Sequence, residues 1–202
     1  TIKVLAQSSF APDLTNWANS SGHKVCKITP TPTHLEAILR KGAGPKPAVG
    51  IAAPQSGAMV LFSNDLDKAL AALIIATGMA ATGMQVSIFF TFWGLSVLRK
   101  HPGPQVKKSF LSTMFGWMLP RGAQKLALSK LHMAGAGTAL MKHVMAQQNV
   151  ASLPEMLHQA RALGVKFIAC DMAMGVMGLT REELIEVDEV AGVATFIARA
   201  KE

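Results

Sequence analysis

No tyrosine occurs among the 202 residues, aromatic residues amount to only 6%, and cysteine appears just twice, at Cys26 and Cys170. Two thiols so far apart give neither a disulfide framework nor a zinc-ligand spacing, and there is no Cys-x-x-Cys pair for thioredoxin-type exchange. A chain with so few cysteines suits a reducing compartment. No charged-then-apolar leader pattern opens it, so a cytoplasmic location is expected. No cluster of metal-ligating residues and no complete nucleotide-binding fingerprint is present, so neither metal nor cofactor is expected. The Gly-x-Gly of Ala134-Gly-Ala-Gly137 lacks both the third glycine and the preceding strand.

Acidic residues are missing from the middle of the chain. Between Lys68 and Pro154 there is no Asp or Glu, whereas residues 155–202 carry eight of the twelve acids. The net charge of +8 is therefore concentrated in that interval, in residues such as Arg99, Lys100, Lys107, Lys108, Arg121 and Lys142. Such a surface suits an anionic lipid, an anionic small molecule or the acidic tail of a neighbouring copy. Nucleic acid is not an expected partner, because no aromatic-interleaved basic motif or binding module accompanies the charge.

The stretch that organises the chain is Val165-Lys-Phe-Ile-Ala-Cys170. A β-branched and aromatic run after Gly164 predicts a buried strand ending at Cys170. Asp171 to Leu179, with three methionines and two glycines, reads as a flexible loop. Ligand crevices in open α/β sheets form outside the carboxyl ends of strands. Cys170 is thus either a reactive thiol at such a crevice or a small apolar filler. Met172, Met174 and Met177 read as packing residues, with soft-metal ligation as the alternative.

Strands are expected at Ile2 to Ala6, His23 to Ile28, Met59 to Phe62 and Val86 to Phe92, with Leu35 to Leu39 a strand or a helical turn. Cys26 is expected to be a half-buried strand thiol. Pro12 and Asp13 open a short helix through Trp17. Gly42 to Gly57 has the proline and glycine content of a linker. Helices are predicted from Leu66 to Ala81, where Ser63, Asn64 and Asp65 offer a cap, over Ala123 to Leu131 and Thr138 to Gln147, from the capping box Ser152-Leu-Pro-Glu155 to Leu163, from the capping box Thr180-Arg-Glu-Glu183, and over Gly192 to Ala200. Ala69 to Leu98 carries no charge and is long enough to span a bilayer. Gly78, Gly83 and Gln85 divide it, however, which favours a helix and strand buried in a parallel sheet. Leu98 to Gly122, with Met114-Phe-Gly-Trp-Met-Leu119, reads as an insertion suited to a subunit contact, a lid or a membrane-surface patch. The alternation of strands and helices predicts an α/β three-layer sandwich with a parallel sheet, preceded by a small α+β segment.

Two family resemblances follow. Lys3-Val-Leu-Ala-Gln7, Asp13-Leu-Thr-Asn-Trp17, Gly22-His23 and Leu39-Arg40-Lys41-Gly42 resemble part of a TusA-like sulfur-carrier domain over residues 1–42. The Cys-Pro-x-Pro motif of that family is absent, so its activity is not carried onto Cys26. After a linker at 43–57, residues 58–202 resemble the DsrE-like family, and within it a Met-rich subgroup often labelled "peroxiredoxin family". The matching blocks are Leu61-Phe-Ser-Asn-Asp-Leu-Asp-Lys-Ala69, Phe89-Phe-Thr-Phe-Trp-Gly-Leu95, Leu119-Pro-Arg-Gly122, Leu128-Ser-Lys-Leu-His-Met133, Gly135-Ala-Gly-Thr138, Val165-Lys-Phe-Ile-Ala-Cys-Asp-Met172 and Val176-Met-Gly178.

The DsrE-like resemblance implies a flavodoxin-like fold, homo-oligomers built on dimers or trimers, and sulfur trafficking through a persulfide on Cys170, with sulfur donor and acceptor proteins as partners. Ala173 and Gly175 stand where the family pattern has Ser and Asp. Thr91, Trp93, Asp171 and Met172 are the accompanying candidates for lining the site, with packing an alternative role for Trp93. Thiol peroxidase chemistry is a second reading, which needs a resolving thiol that only Cys26 can supply. A membrane-associated or scaffold protein is a third.

Overall fold

The computed structural model describes residues 1–6, 11, 14–15, 18, 22–31, 34–42, 55–104, 106, 114, 119–131 and 133–200. The chain divides into two compact units, Thr1–Ala53 and Pro54–Glu202. Predicted features at Pro12, Asp13, Trp17, residues 43–54, Lys107, Lys108 and residues 115–118 lie outside the described residues.

The first unit is an antiparallel sheet of β1 (Ile2–Ala6), β2 (Lys24–Pro30) and β3 (Leu35–Arg40), in the order β1-β3-β2. Strand alternation in β3 sends Leu35, Ala37 and Leu39 inward, and these pack with the helical Leu14 and Ala18 in a small core. Glu36 faces outward and accepts a contact from Lys3 Nζ at 2.9 Å. The period of two settles Leu35 to Leu39 as strand. Cys26 is exposed rather than half-buried. A register shift between Val25 and Lys27 leaves it outside the β2–β3 pairing, and such a bulge turns a side chain away from its regular face.

The second unit is built on a parallel sheet of β4 (Ser56–Leu61), β5 (Gln85–Phe90), β6 (Lys166–Cys170) and β7 (Glu189–Ala191), in chain order. Helix α1 (Leu66–Ala81) connects β4 to β5. Helices α2 (Ala136–Gln147) and α3 (Leu153–Ala162) precede β6, α4 (Asp171–Met177) follows it, and α5 (Val193–Arg199) closes the fold. Adjacent residues of β5 point to opposite faces. Phe89 stacks on Phe196 of α5 at 4.8 Å between ring centroids, whereas Phe90 meets Phe167 edge-on at 5.3 Å. Arg161 of α3 lies over the Phe167 ring, which puts α3 and its neighbour α1 on that second face. The fold is therefore the α/β, flavodoxin-like sandwich anticipated, with a core of Leu66, Leu73, Ile88, Phe90, Phe167 and their neighbours.

The charge-free run from Ala69 to Leu98 resolves into most of α1, a turn at Gly83, β5 and a 3₁₀ helix (Phe92–Leu98). No described helix is long and apolar enough to cross a membrane.

Several boundaries differ from expectation for identifiable reasons. β4 begins at Ser56, three residues early. β5 ends at Phe90, because Phe92 adopts a left-handed φ of 45°. Ala123 to Leu131 is no helix beyond a 3₁₀ turn (Ala123–Lys125), because tertiary partners consume its backbone groups. The Ala127 carbonyl accepts from Leu66 N, while Leu128 N and Ser129 N donate to Thr138 Oγ1 and Asp67 Oδ1. Asp171 to Leu179 is no flexible loop. Ala173, Met174 and Met177 make a helical stripe that buries against the core, and Gly178 ends the helix in the left-handed conformation. Thr180–Glu183 forms a capped single turn rather than a helix, and β7 was not foreseen, being only three residues on the sheet edge.

Candidate functional site

Cys170 is the last residue of β6, an interior strand of the sheet, and the residue from which α4 springs. Pairing places Cys170 opposite Ala191, Ala169 opposite Phe90, and Phe90 opposite Leu61. The carboxyl ends of β4, β5 and β6 thus form one edge. Thr91 N donates to Leu61 O at 3.0 Å across it, and Gly94 N donates to Thr91 O at 3.0 Å. Gly94 approaches so closely that a Cβ there would stand 2.0 Å from Leu61 O.

The thiol itself is 0% exposed, so the accessible sulfur expected from the sequence is not found in this conformation. In place of an open loop, α4 directly follows the strand end and seats Ala173, Met174 and Met177 in the same core as Cys170.

The other candidates share this edge with different environments. Thr91 is buried and starts the 3₁₀ helix. Trp93 does not pack inside but is 47% exposed. Asp171 and Met172 open α4 and are exposed, so the Asp171 carboxylate faces solvent rather than the sulfur. Phe62, Phe92 and Val176 are exposed as well, and sequence reasoning missed them because single exposed apolar residues carry no periodic signal. Phe62 and Phe92 closely follow the ends of β4 and β5, so the carboxyl edge of the sheet carries exposed apolar side chains. Among the described residues no group of three or more His, Cys, Asp or Glu is arranged to hold a metal ion.

Sequence reasoning also missed a buried ion pair between the turn after α4 and the segment after the 3₁₀ helix. Arg99 and Glu183 are 3% and 6% exposed, with Arg99 Nη2 3.4 Å from Glu183 Oε1. Arg99 Nη1 donates to Leu119 O at 3.0 Å. Burial pushes the Arg99 guanidinium below its usual pKa, Glu183 opposes that shift, and Arg121 adds to it by repulsion. The Thr180-x-x-Glu183 capping box was a visible signal for Glu183; Arg99 looked like one more basic residue.

The family model for the DsrE/DsrF/DrsH-like family matches residues 54–202. The chain belongs to that family. The chain is 50% identical over 144 residues to the uncharacterised protein YrkE of Bacillus subtilis, covering 71% of this chain and 90% of that protein. It is 36% identical over 149 residues to the sulfur carrier protein DsrE2 of Allochromatium vinosum, covering 72% of this chain and 92% of that one. Cys170 is the single cysteine of the DsrE-like span.

Proposed function

We propose that this protein is a sulfur carrier that receives and delivers persulfide sulfur on Cys170. The observation that supports this most directly is the position of the family span's one thiol, at the carboxyl end of an interior strand of the parallel sheet. Similarity to a protein named a sulfur carrier supports the same reading.

In the loading step the Cys170 thiolate attacks the terminal sulfur of a donor protein's persulfide. A new S–S bond forms on Cys170 as the donor's S–S bond breaks, and the donor leaves as a thiolate. Delivery is the reverse, with an acceptor thiolate attacking the terminal sulfur and Cys170 leaving. Neither step needs an external oxidant or reductant, and protons exchange with solvent. Because the resting thiol is buried, the fold must open locally during each transfer, and the exposed Phe62, Phe92, Trp93 and Met172 offer donor and acceptor proteins an apolar approach. Exposed Leu131, Met133, Leu140 and Met141 support association of copies into a homo-oligomer. The reading sets the activity in a reducing cytoplasm. The Thr1–Ala53 unit contributes a TusA-like docking segment rather than a second sulfur site. A peroxidase has less support, since the one other thiol, Cys26, belongs to that unit.

The test is intact mass after incubation with a protein persulfide donor, for wild type and Cys170→Ala. A gain of one sulfur that is lost in the variant and reversed by a small thiol is expected. No sulfur gain on the wild type, or an equal gain on the variant, overturns the proposal.

A further inference from the structure

A cleft of about 330 Å³ opens in the second unit between α3, the end of the 3₁₀ helix Phe92–Leu98 and the Ala123–Lys125 turn. Cys170 takes no part in it. Strand alternation puts Cys170 on the face of Ile168 and Phe89, where α5 packs, whereas α3 lies on the opposite face. Val97, Pro154, Leu157 and Ile185 supply apolar lining. The ionisable lining is of one kind: Arg99, His101, His158 and Arg161, with no described acid among the lining residues. His158 and Arg161 stand one turn apart on α3, so they share a side of the helix. His101 and His158 are exposed, and each ring offers an N–H donor in either protonation state. Each guanidinium also has a carboxylate partner outside the lining. Glu183 Oε1 stands 3.4 Å from Arg99 Nη2, longer than the roughly 2.7–2.9 Å of a strong charge-assisted bond. Glu186, 3.3 Å from Arg161 Nη2, is 86% exposed, so water screens that pair. Positive charge therefore remains along the cleft.

We propose that this cleft binds a small organic anion, its apolar body against Leu157 and Ile185 and its anionic group among the two imidazoles and two guanidiniums. The mixed lining selects that class. A neutral apolar ligand would strip water from the cations without replacing it, and an inorganic anion would leave the apolar lining wet. An anionic group on an apolar body answers both demands. The acid-free middle of the chain supplies Arg99, His101 and the exposed Arg121 next to the cleft-lining Gly122, so the charge asymmetry of the sequence is gathered here. Burial lowers the Arg99 pKa, Glu183 opposes the shift and repulsion from Arg121 adds to it, a repulsion that a bound anion relieves. Because the thiol lies on the other face of the sheet, the site stands whether or not Cys170 carries sulfur.

Binding is read from the amide chemical shifts of the full chain at pH 7, titrated separately with benzyl phosphate, inorganic phosphate and benzyl alcohol. Benzyl phosphate should move the amides of residues 121–124 and 157–161. It should bind at least about tenfold more tightly than either of the other two, which each carry half of the recognised chemistry. His158→Asp sets a carboxylate at the exposed rim, where it disturbs no packing, and should weaken benzyl phosphate binding at least about tenfold. Lys130→Asp changes the net charge by more, at an exposed position outside the lining, and should alter binding less than about twofold. Absence of shifts at those amides overturns the proposal. So does inorganic phosphate or benzyl alcohol binding as tightly as benzyl phosphate, since one half of the ligand would then suffice. Equal weakening by the two variants also overturns it, because binding would follow net charge rather than the cleft.

Discussion

Asp188 illustrates how a single carboxylate fixes the strand that carries the thiol. It accepts from Phe167 N at 2.9 Å and from Lys166 Nζ at 3.1 Å, while its own N–H donates to Phe167 O. Partial burial raises its pKa, but these hydrogen bonds and the nearby cations outweigh that and leave it below the ordinary 3.8. A depressed folded value means the stabilisation is present above the unfolded pKa and lost as pH falls through the folded one. Asp188→Asn should cost about 1–2 kcal/mol at pH 7. The gap to wild type, measured by urea denaturation, should shrink below about pH 4 as the wild-type carboxylate protonates. A gap independent of pH would show that the charge is not what Phe167 N and Lys166 need. Cys170 poses a different residue-scale question. Its sulfur sits in an apolar core with no exposure, so a hydroxyl there would need a partner it lacks among apolar neighbours. Cys170→Ser should therefore lose about 1–3 kcal/mol and be less stable than Cys170→Ala by chemical denaturation. For that reason alanine is the cleaner thiol-free control in the sulfur-uptake assay.

At the scale of elements, α4 is the helix that directly follows the thiol. It is only seven residues long and contains Gly175, whose Cβ position faces empty space. Alanine at that position adds helix propensity without a clash, worth about 0.5–1 kcal/mol. Gly175→Ala should therefore raise stability by that amount in urea denaturation. Unchanged or lower stability would show that α4 does not gain from the added propensity. Legibility at this scale followed the strength of local pattern. The α1 boundaries, the Ser152 capping box, the helix it starts and the strand into Cys170 all have periodic apolar residues and local stop signals, so they could be read from the chain. α4 could not. Its glycines and methionines mimic a loop, and what makes it helical is burial of Ala173, Met174 and Met177 against residues far away in sequence. Ala123 to Leu131 failed in the other direction, because its helix-like composition lost to tertiary hydrogen bonds with α1 and α2. The site was legible as one sulfur at a strand end. The buried Arg99–Glu183 pair was not, because its members are 84 positions apart and no local rule pairs them.

At the scale of the molecule, each unit has its own core, and the two cores differ greatly in strength. The buried residues of Thr1–Ala53 among those described are Leu14, Ala18, Leu35, Ala37 and Leu39, two of them alanines, under a sheet of only three strands. The parallel sheet of Pro54–Glu202 is packed on both faces, with Phe89 on Phe196 and Phe90 on Phe167. Burial stabilises in proportion to the apolar area removed from water, and small sheets are marginal by that measure. The two units should therefore open separately, and a single unfolding free energy will not describe the chain. In native-state amide exchange the slowest amides of β1 and β3 should exchange at least about 100-fold faster than those of β5 and β6, equivalent to about 2.8 kcal/mol. Denaturant should remove the protection of the first unit before that of the second. Equal protection in both units, lost in one transition, would mean that the first unit draws its stability from contacts outside its own core. In that case its role in sulfur transfer would have to be sought in those contacts.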